Sequence, residues 1–166
     1  MSKWKMGLCL LLTGLLQTMI FSNFSIFGAR ANLLLVFTVA VAMIYGEKTG
    51  AYLGLGLGLL QDVVFSTVLG IHALIYFLVG TFVGRFLHHS SGHLPTAIFI
   101  VAVSTLFSNG LEWAISLLLR MGRWNLSYFK GPIFIELIVN AALFFVMRGA
   151  IKKFLKPDSV RKYRLY

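Results

Sequence analysis

The chain has 166 residues, 58% of them hydrophobic and only 12% charged, with a mean hydropathy of +0.86. A soluble domain carries about 25% charged residues, so this composition excludes an ordinary water-soluble globule and calls for lipid around the chain. Fifteen basic residues against five acidic ones give a net charge of +10, but the bases sit at the ends of apolar runs, where headgroups attract them, and form none of the basic, polar patches that nucleic acid requires.

In chain order, Lys3, Trp4 and Lys5 precede an apolar run from Met6 to about Phe24. A basic start and an apolar core resemble a signal peptide, but Ser22-Asn23-Phe24 is a poor cleavage site and the rest of the chain is equally apolar. The run is read as a retained first helix. Its Cys9 is the single cysteine, which excludes a disulfide within the chain and argues against zinc.

The second run, Leu33 to Tyr45, is short. Its length of about 20 Å falls below the roughly 30 Å of a hydrocarbon core. A re-entrant segment is one reading. The preferred one is a tilted span whose flanks, Arg30, Asn32, Glu47 and Lys48, reach toward the headgroups. The break at Gly46-Glu47-Lys48 allows only a tight turn, so the third helix, Thr49 to about Phe65, returns antiparallel.

Within that helix Gly50, Gly54 and Gly58 recur every four residues as one bare stripe, and Asp62 continues it. Glycine permits the close backbone approach by which helices associate in lipid, so one reading is a packing seam with an acidic residue near the interface. The other is a recognition face with Asp62 as its polar contact, since a carboxylate in an apolar run needs a partner.

Ser66 to Gly70 forms a short uncharged turn, and Ile71 to Phe86 is the fourth helix, with Gly80 and Gly84 spaced by four. The loop from Arg85 to Pro95 carries His88, His89 and His93, but with no cysteine or carboxylate beside them they are an incomplete metal set. Pro95 opens the fifth helix, to about Leu119. A loop with Arg120, Arg123, Trp124 and Lys130 ends at Gly131-Pro132, and the sixth helix runs from Ile133 to about Ile151, ahead of a basic tail. The chain is thus read as one all-α integral membrane domain over residues 1–166, a six-helix transmembrane bundle.

Six spans put both termini on one side, with eleven of the fifteen basic residues; only Arg30, Arg120, Arg123 and Lys130 lie opposite. The positive-inside rule makes that side cytoplasmic. Asp62, Glu112 and Glu136 then all fall in the outer half of the bilayer, with His72 opening the fourth helix nearby. Glu112, Ser116 and Arg120 share a face by spacing, as do Glu136 and Asn140, so the two glutamates are expected to meet Arg120, Arg123 or each other. These residues serve either as an ion-pair cluster that fixes helix register, as a solute pocket open to the outside, or as a docking site for another membrane protein. Catalysis finds little support, because HExxH, G-x-S-x-G and P-loop patterns are absent, and a lone His72 beside Asp62 lacks a placed nucleophile. No cofactor is called for.

Residues 54–62 (GLGLGLLQD), then 69–74 (LGIHAL) and the Gly80/Gly84 pair resemble the rod shape-determining protein MreD family, in which a glycine-rich helix ends in G-L-L-x-D and a short turn leads to L-G-x-x-A-L. The stretch from Arg30 through Asn32 looks similar too, although members often carry a proline or an aspartate there. The specific motifs cover about residues 31–85, and the C-terminal half agrees in hydropathy alone. The resemblance implies a non-enzymatic component of the bacterial elongation machinery in the inner membrane. Such a subunit binds MreC and works with MreB, RodA and a class B penicillin-binding protein on lateral cell wall. It also implies a fold similar to the S component of energy-coupling-factor transporters, which supplies the alternative of a vitamin-binding S component.

Overall fold

A computed structural model describes residues 12–15, 17, 25–26, 29–66, 68–87, 94–120 and 132–154. A first helix, α1, is described over residues 12–15. A minimal antiparallel hairpin follows, β1 (Ser25–Ile26) with β2 (Ala29–Arg30), pairing Ser25 with Arg30 and Ile26 with Ala29. The helices α2 (Leu33–Tyr45), α3 (Glu47–Phe65), α4 (Ile71–Phe86), α5 (Leu94–Leu118) and α6 (Pro132–Phe154) complete the fold. Six helices therefore dominate, and the hairpin is the one departure from an all-helical chain among the described residues. His88, His89, His93, Arg123, Lys130 and the tail beyond Phe154 lie outside the described residues.

Helix α2 is the centre. Its sequence, LLLVFTVAVAMIY, has no polar face, and a helix apolar all round is stable only where neighbours enclose it. Every residue from Leu33 to Met43 is buried, with α3, α4, α5 and α6 all packed around it. The hydroxyl in its buried stretch, on Thr38, is satisfied locally by donating to the Leu34 carbonyl at 2.9 Å.

The connection from α2 to α3 is tighter than the expected three-residue turn. Glu47 and Lys48 are already helical, and Gly46 alone makes the reversal, at φ 82° and ψ −172°, a backbone region essentially restricted to glycine. Gly70, at φ 102°, performs the corresponding turn into α4.

Among the described residues, helices α3 and α4 share the most extensive contact, and glycines make it possible. A Cβ on Gly50 would stand 2.7 Å from the Gly80 carbonyl oxygen and 2.6 Å from the Ala42 Cβ. Cβ atoms on Gly54 and Gly58 would strike the carbonyls of Tyr76 and His72. From the opposite side, Gly80 lies on the Gly50 carbonyl, and a Cβ on Gly84 would come within 2.6 Å of the Glu47 backbone. The two backbones thus touch along the whole hairpin, at a distance where dispersion and Cα–H···O contacts act together. The stripe Gly50, Gly54, Gly58 is consequently inside the protein's own bundle.

The outer surface is apolar. Tyr52, Val63, Phe82, Phe99, Ile138 and Phe145 are exposed, whereas Asp62, Asn109, Glu136 and Asn140 are buried. Water rejects such an inverted distribution, and lipid accepts it. Two stretches, Pro95–Leu118 and Pro132–Gly149, are long and apolar enough to cross a membrane.

Glycine position, rather than glycine content, decides the effect of adding a methyl group. Gly54→Ala will lower the thermal stability of the detergent-solubilised protein by about 1–3 kcal/mol, the usual range for overpacking. Gly110→Ala, where a Cβ meets nothing within 4 Å, will leave stability unchanged or raise it by roughly 0.5–1 kcal/mol through helix propensity. Thermal melts of both variants check the contrast.

Candidate functional site

Helix α4 begins half-buried at one end of the bundle, without a capping side chain of its own, since its N-cap is Gly70. The first amides of a helix have no intrahelical acceptor, and partial burial limits their access to water. Asp62, one helix earlier, supplies the acceptor. Its Oδ2 accepts from the N–H of Gly70 at 2.9 Å and of Ala73 at 3.0 Å, and its Oδ1 accepts from the N–H of His72 at 3.1 Å. The side chain is fully buried, so a carboxylate here is a cap delivered across the hairpin, aligned with the positive end of the helix dipole.

The His72 ring completes the arrangement. Its Nδ1 lies 2.8 Å from Asp62 Oδ1 and 3.1 Å from Ser66 Oγ. Asp62 already accepts three backbone N–H bonds and acts as an ionised acceptor, so Nδ1 carries the proton and donates to it. On the far side of the ring, Nε2 is 3.8 Å from Glu112 Oε1 of α5. Ser66, His72 and Asp62 are therefore no nucleophilic triad, because serine and aspartate share one ring nitrogen, whereas general-base activation needs them on opposite nitrogens.

A second polar system holds the start of α2. The Asn32 side chain caps its own helix by accepting from the Leu35 N–H at 3.0 Å. The same oxygen accepts from the Tyr76 hydroxyl at 2.8 Å, which shares its single proton with Gln61 Oε1, also at 2.8 Å. The Asn32 backbone N–H donates to Asn140 Oδ1 at 3.0 Å, and the Asn140 amide donates to Thr105 Oγ1 at 3.2 Å. Asn109 donates to Glu136 Oε2 at 3.2 Å, and Asn140 reaches Glu136 Oε1 at 3.5 Å. Gln17 accepts from the Leu33 N–H at 2.9 Å and donates to the Ala31 carbonyl at 3.1 Å. One hydrogen-bonded system thus joins α2, α3, α4, α5 and α6 at a single end of the bundle, where α2, α4 and α6 begin and α3 and α5 finish.

The structure brings Asp62, His72 and Glu112 into one line, and places Glu136 beside Asn109 and Asn140. Gly50, Gly54 and Gly58 form the seam that leads to Asp62. Arg120 is not part of the cluster: it is exposed, with φ at 51°, in the turn that ends α5, and among the described residues it makes no ion pair with Glu112 or Glu136. Asn32 is turned inward as the hub of the second system, rather than toward headgroups. Gln17, Gln61 and Tyr76 carry bonds that the sequence reading did not assign. The only available signal was position, with Gln61 beside Asp62 and Tyr76 one turn past His72.

A bundle with apolar outer faces and an internal polar brace, in which Asp62 binds a helix end and Glu136 binds amides, defines a helical membrane protein. The chain belongs to the MreD family: residues 1–156 match the family of the rod shape-determining protein MreD. No curated protein and no solved structure matches it. The comparisons give the vitamin-binding S component no support.

The cap generates a graded expectation. Asp62→Asn leaves one acceptor oxygen for three N–H groups and turns an amide donor toward them. It will lower thermal stability by about 1–3 kcal/mol. Asn32→Ala, which removes a cap and a Tyr76 partner together, will show a loss of about the same size. Melts in detergent that leave both variants at the wild-type midpoint would show that the polar bonds add nothing to stability.

Proposed function

We propose that the protein is a non-enzymatic, multi-pass subunit of the bacterial inner membrane that binds MreC and supports rod shape and lateral peptidoglycan synthesis. MreB, RodA and a class B penicillin-binding protein belong to the wider complex. Six spans with both termini in the cytoplasm agree with eleven basic residues on that side and four on the other. In this reading the bundle is arranged like the S component of energy-coupling-factor transporters and used for assembly instead of solute capture.

Membership of the MreD family supports the shape-determining role. The observation that carries the scaffolding role is the engagement of Asp62, Asn32 and Asn140. These groups hold helix ends and one another, so the polar brace gives rigidity, and partner contact falls to the apolar outer faces. Asp62 and the glycine stripe then act on partners only through the fold.

Two measurements test this. In a strain lacking its own copy, the chain is expected to restore rod shape and to recover MreC on affinity purification from solubilised membranes; folded, membrane-inserted protein that recovers no MreC refutes the binding role. An alkaline phosphatase fused after Tyr166 is expected to be inactive, since the enzyme folds only outside the cytoplasm, and high activity would invert the topology.

A further inference from the structure

Helix α5 carries two polar rows, and they meet different neighbours. Thr105 and Asn109, four residues apart, turn toward α6, where they bond Asn140 and Glu136. Ser104, Ser108 and Glu112, also at four-residue steps, make the second row, and the place of Glu112 beside His72 shows that this row faces α4. Ser108 lies one turn deeper in the bundle than Glu112, since α5 finishes at the end where α4 begins.

Ser108 breaks the pattern of the other hydroxyls. In an apolar helix a serine or threonine can donate to the carbonyl one turn back. Thr38, Thr81, Thr105 and Ser116 all do so, at 2.7–2.9 Å. Ser108 is only 6% exposed, and its Oγ bonds to nothing among the described residues, not even to the Ser104 carbonyl that its spacing offers. The hydroxyl is therefore turned away from its own helix, into the space between α5 and α4. A buried hydroxyl left unanswered is destabilising, and an ordered water is the usual answer inside a native fold.

We propose that an ordered water is bound at Ser108, between α5 and α4, and that it enters past His72 and Glu112. The chemistry of the place selects water. A serine hydroxyl both donates and accepts, as water does, and it presents no charge that would call for an ion. An acyl chain would leave the hydroxyl unbonded. Room comes from the small side chains of Ser104 and Ser108, where larger residues would fill the space. Access follows the row, because the Glu112 and His72 side chains are 26% and 14% exposed, above the closed position of Ser108. The two sides of α4 then differ in kind: glycine brings α3 into direct backbone contact, and water mediates part of the contact with α5.

Water-edited solid-state NMR of the full-length protein in lipid bilayers, with serine and threonine labelled in ¹³C, tests the site. Ser108 is identified as the signal that Ser108→Ala removes; if that variant does not fold, Ser108→Cys, of similar size, supplies the assignment. Polarisation from water is expected to reach the Ser108 Cβ several-fold faster than the Cβ of Thr38, which is equally closed to the outside and bonded to its own helix. Ser108→Ala is also expected to lower the midpoint of the thermal melt, because it removes a bonded group. In a dry site the same change removes an unanswered hydroxyl and raises the midpoint. Transfer to Ser108 no faster than to Thr38, the result for an acyl chain or dry packing at this position, overturns the proposal, as does a midpoint left unchanged or raised by Ser108→Ala.

Discussion

A helix that starts at the end of an apolar bundle, half-covered by its neighbours, leaves its first amide N–H groups with no intrahelical acceptor, and each one buried unsatisfied costs on the order of 1–3 kcal/mol. Helix α4 starts this way, behind a glycine that has no side chain to offer. The Asp62 carboxylate answers three of those amides and the His72 ring at once. A formal charge in such a place would be destabilising by itself; bonded to the positive end of a helix and to an imidazole, it becomes the joint of the hairpin.

That joint works only because the two helices lie in contact. Gly50, Gly54 and Gly58 bring the backbone of α3 onto α4, and the fourth position of the same stripe is Asp62. The seam sets the distance, and the carboxylate sets the register, since sliding α4 by one turn would take Gly70, His72 and Ala73 away from it. Packing by small residues is tolerant of sliding; a four-bonded carboxylate is not. The second polar system repeats the division of labour, with apolar α2 filling the centre and Asn32 fixing where its first turn stands.

Much of this was legible from residue spacing. Apolar runs broken by Gly46 and Gly70 give the α2–α4 helices, and glycines at four-residue intervals give one face of α3. Spacing does not say what covers a face, so the stripe stayed open between an internal seam and a recognition surface. The nearness of His72 to Asp62 followed from the short turn between them, but the cap did not, because its donors are backbone amides and leave no mark in sequence. Asn32 misled for a related reason: a polar residue at the end of an apolar run looks interfacial, and sequence gives its depth but not its direction. Arg120 misled because i, i+8 reasoning assumes a continuous helix. Helix α5 stops at Leu118, and the left-handed conformation of Arg120 takes it out of phase with Glu112.

The enclosure of α2 also constrains the order of events on the ribosome. This helix is made second, yet α3, α4, α5 and α6, which pack around it, are all made afterwards. The Asn32 side chain finds Tyr76 only after 44 more residues, and its backbone N–H finds Asn140 only after 108. Domains are synthesised from the N-terminus at about 5–20 residues per second, so a short apolar helix waits many seconds beside lipid or the insertion machinery with its first turn incompletely bonded. The α3–α4 hairpin, whose contacts are local, can close in the meantime and offer α2 its groove. The centre of the finished protein is thus the part whose assembly ends last, when the sixth helix arrives.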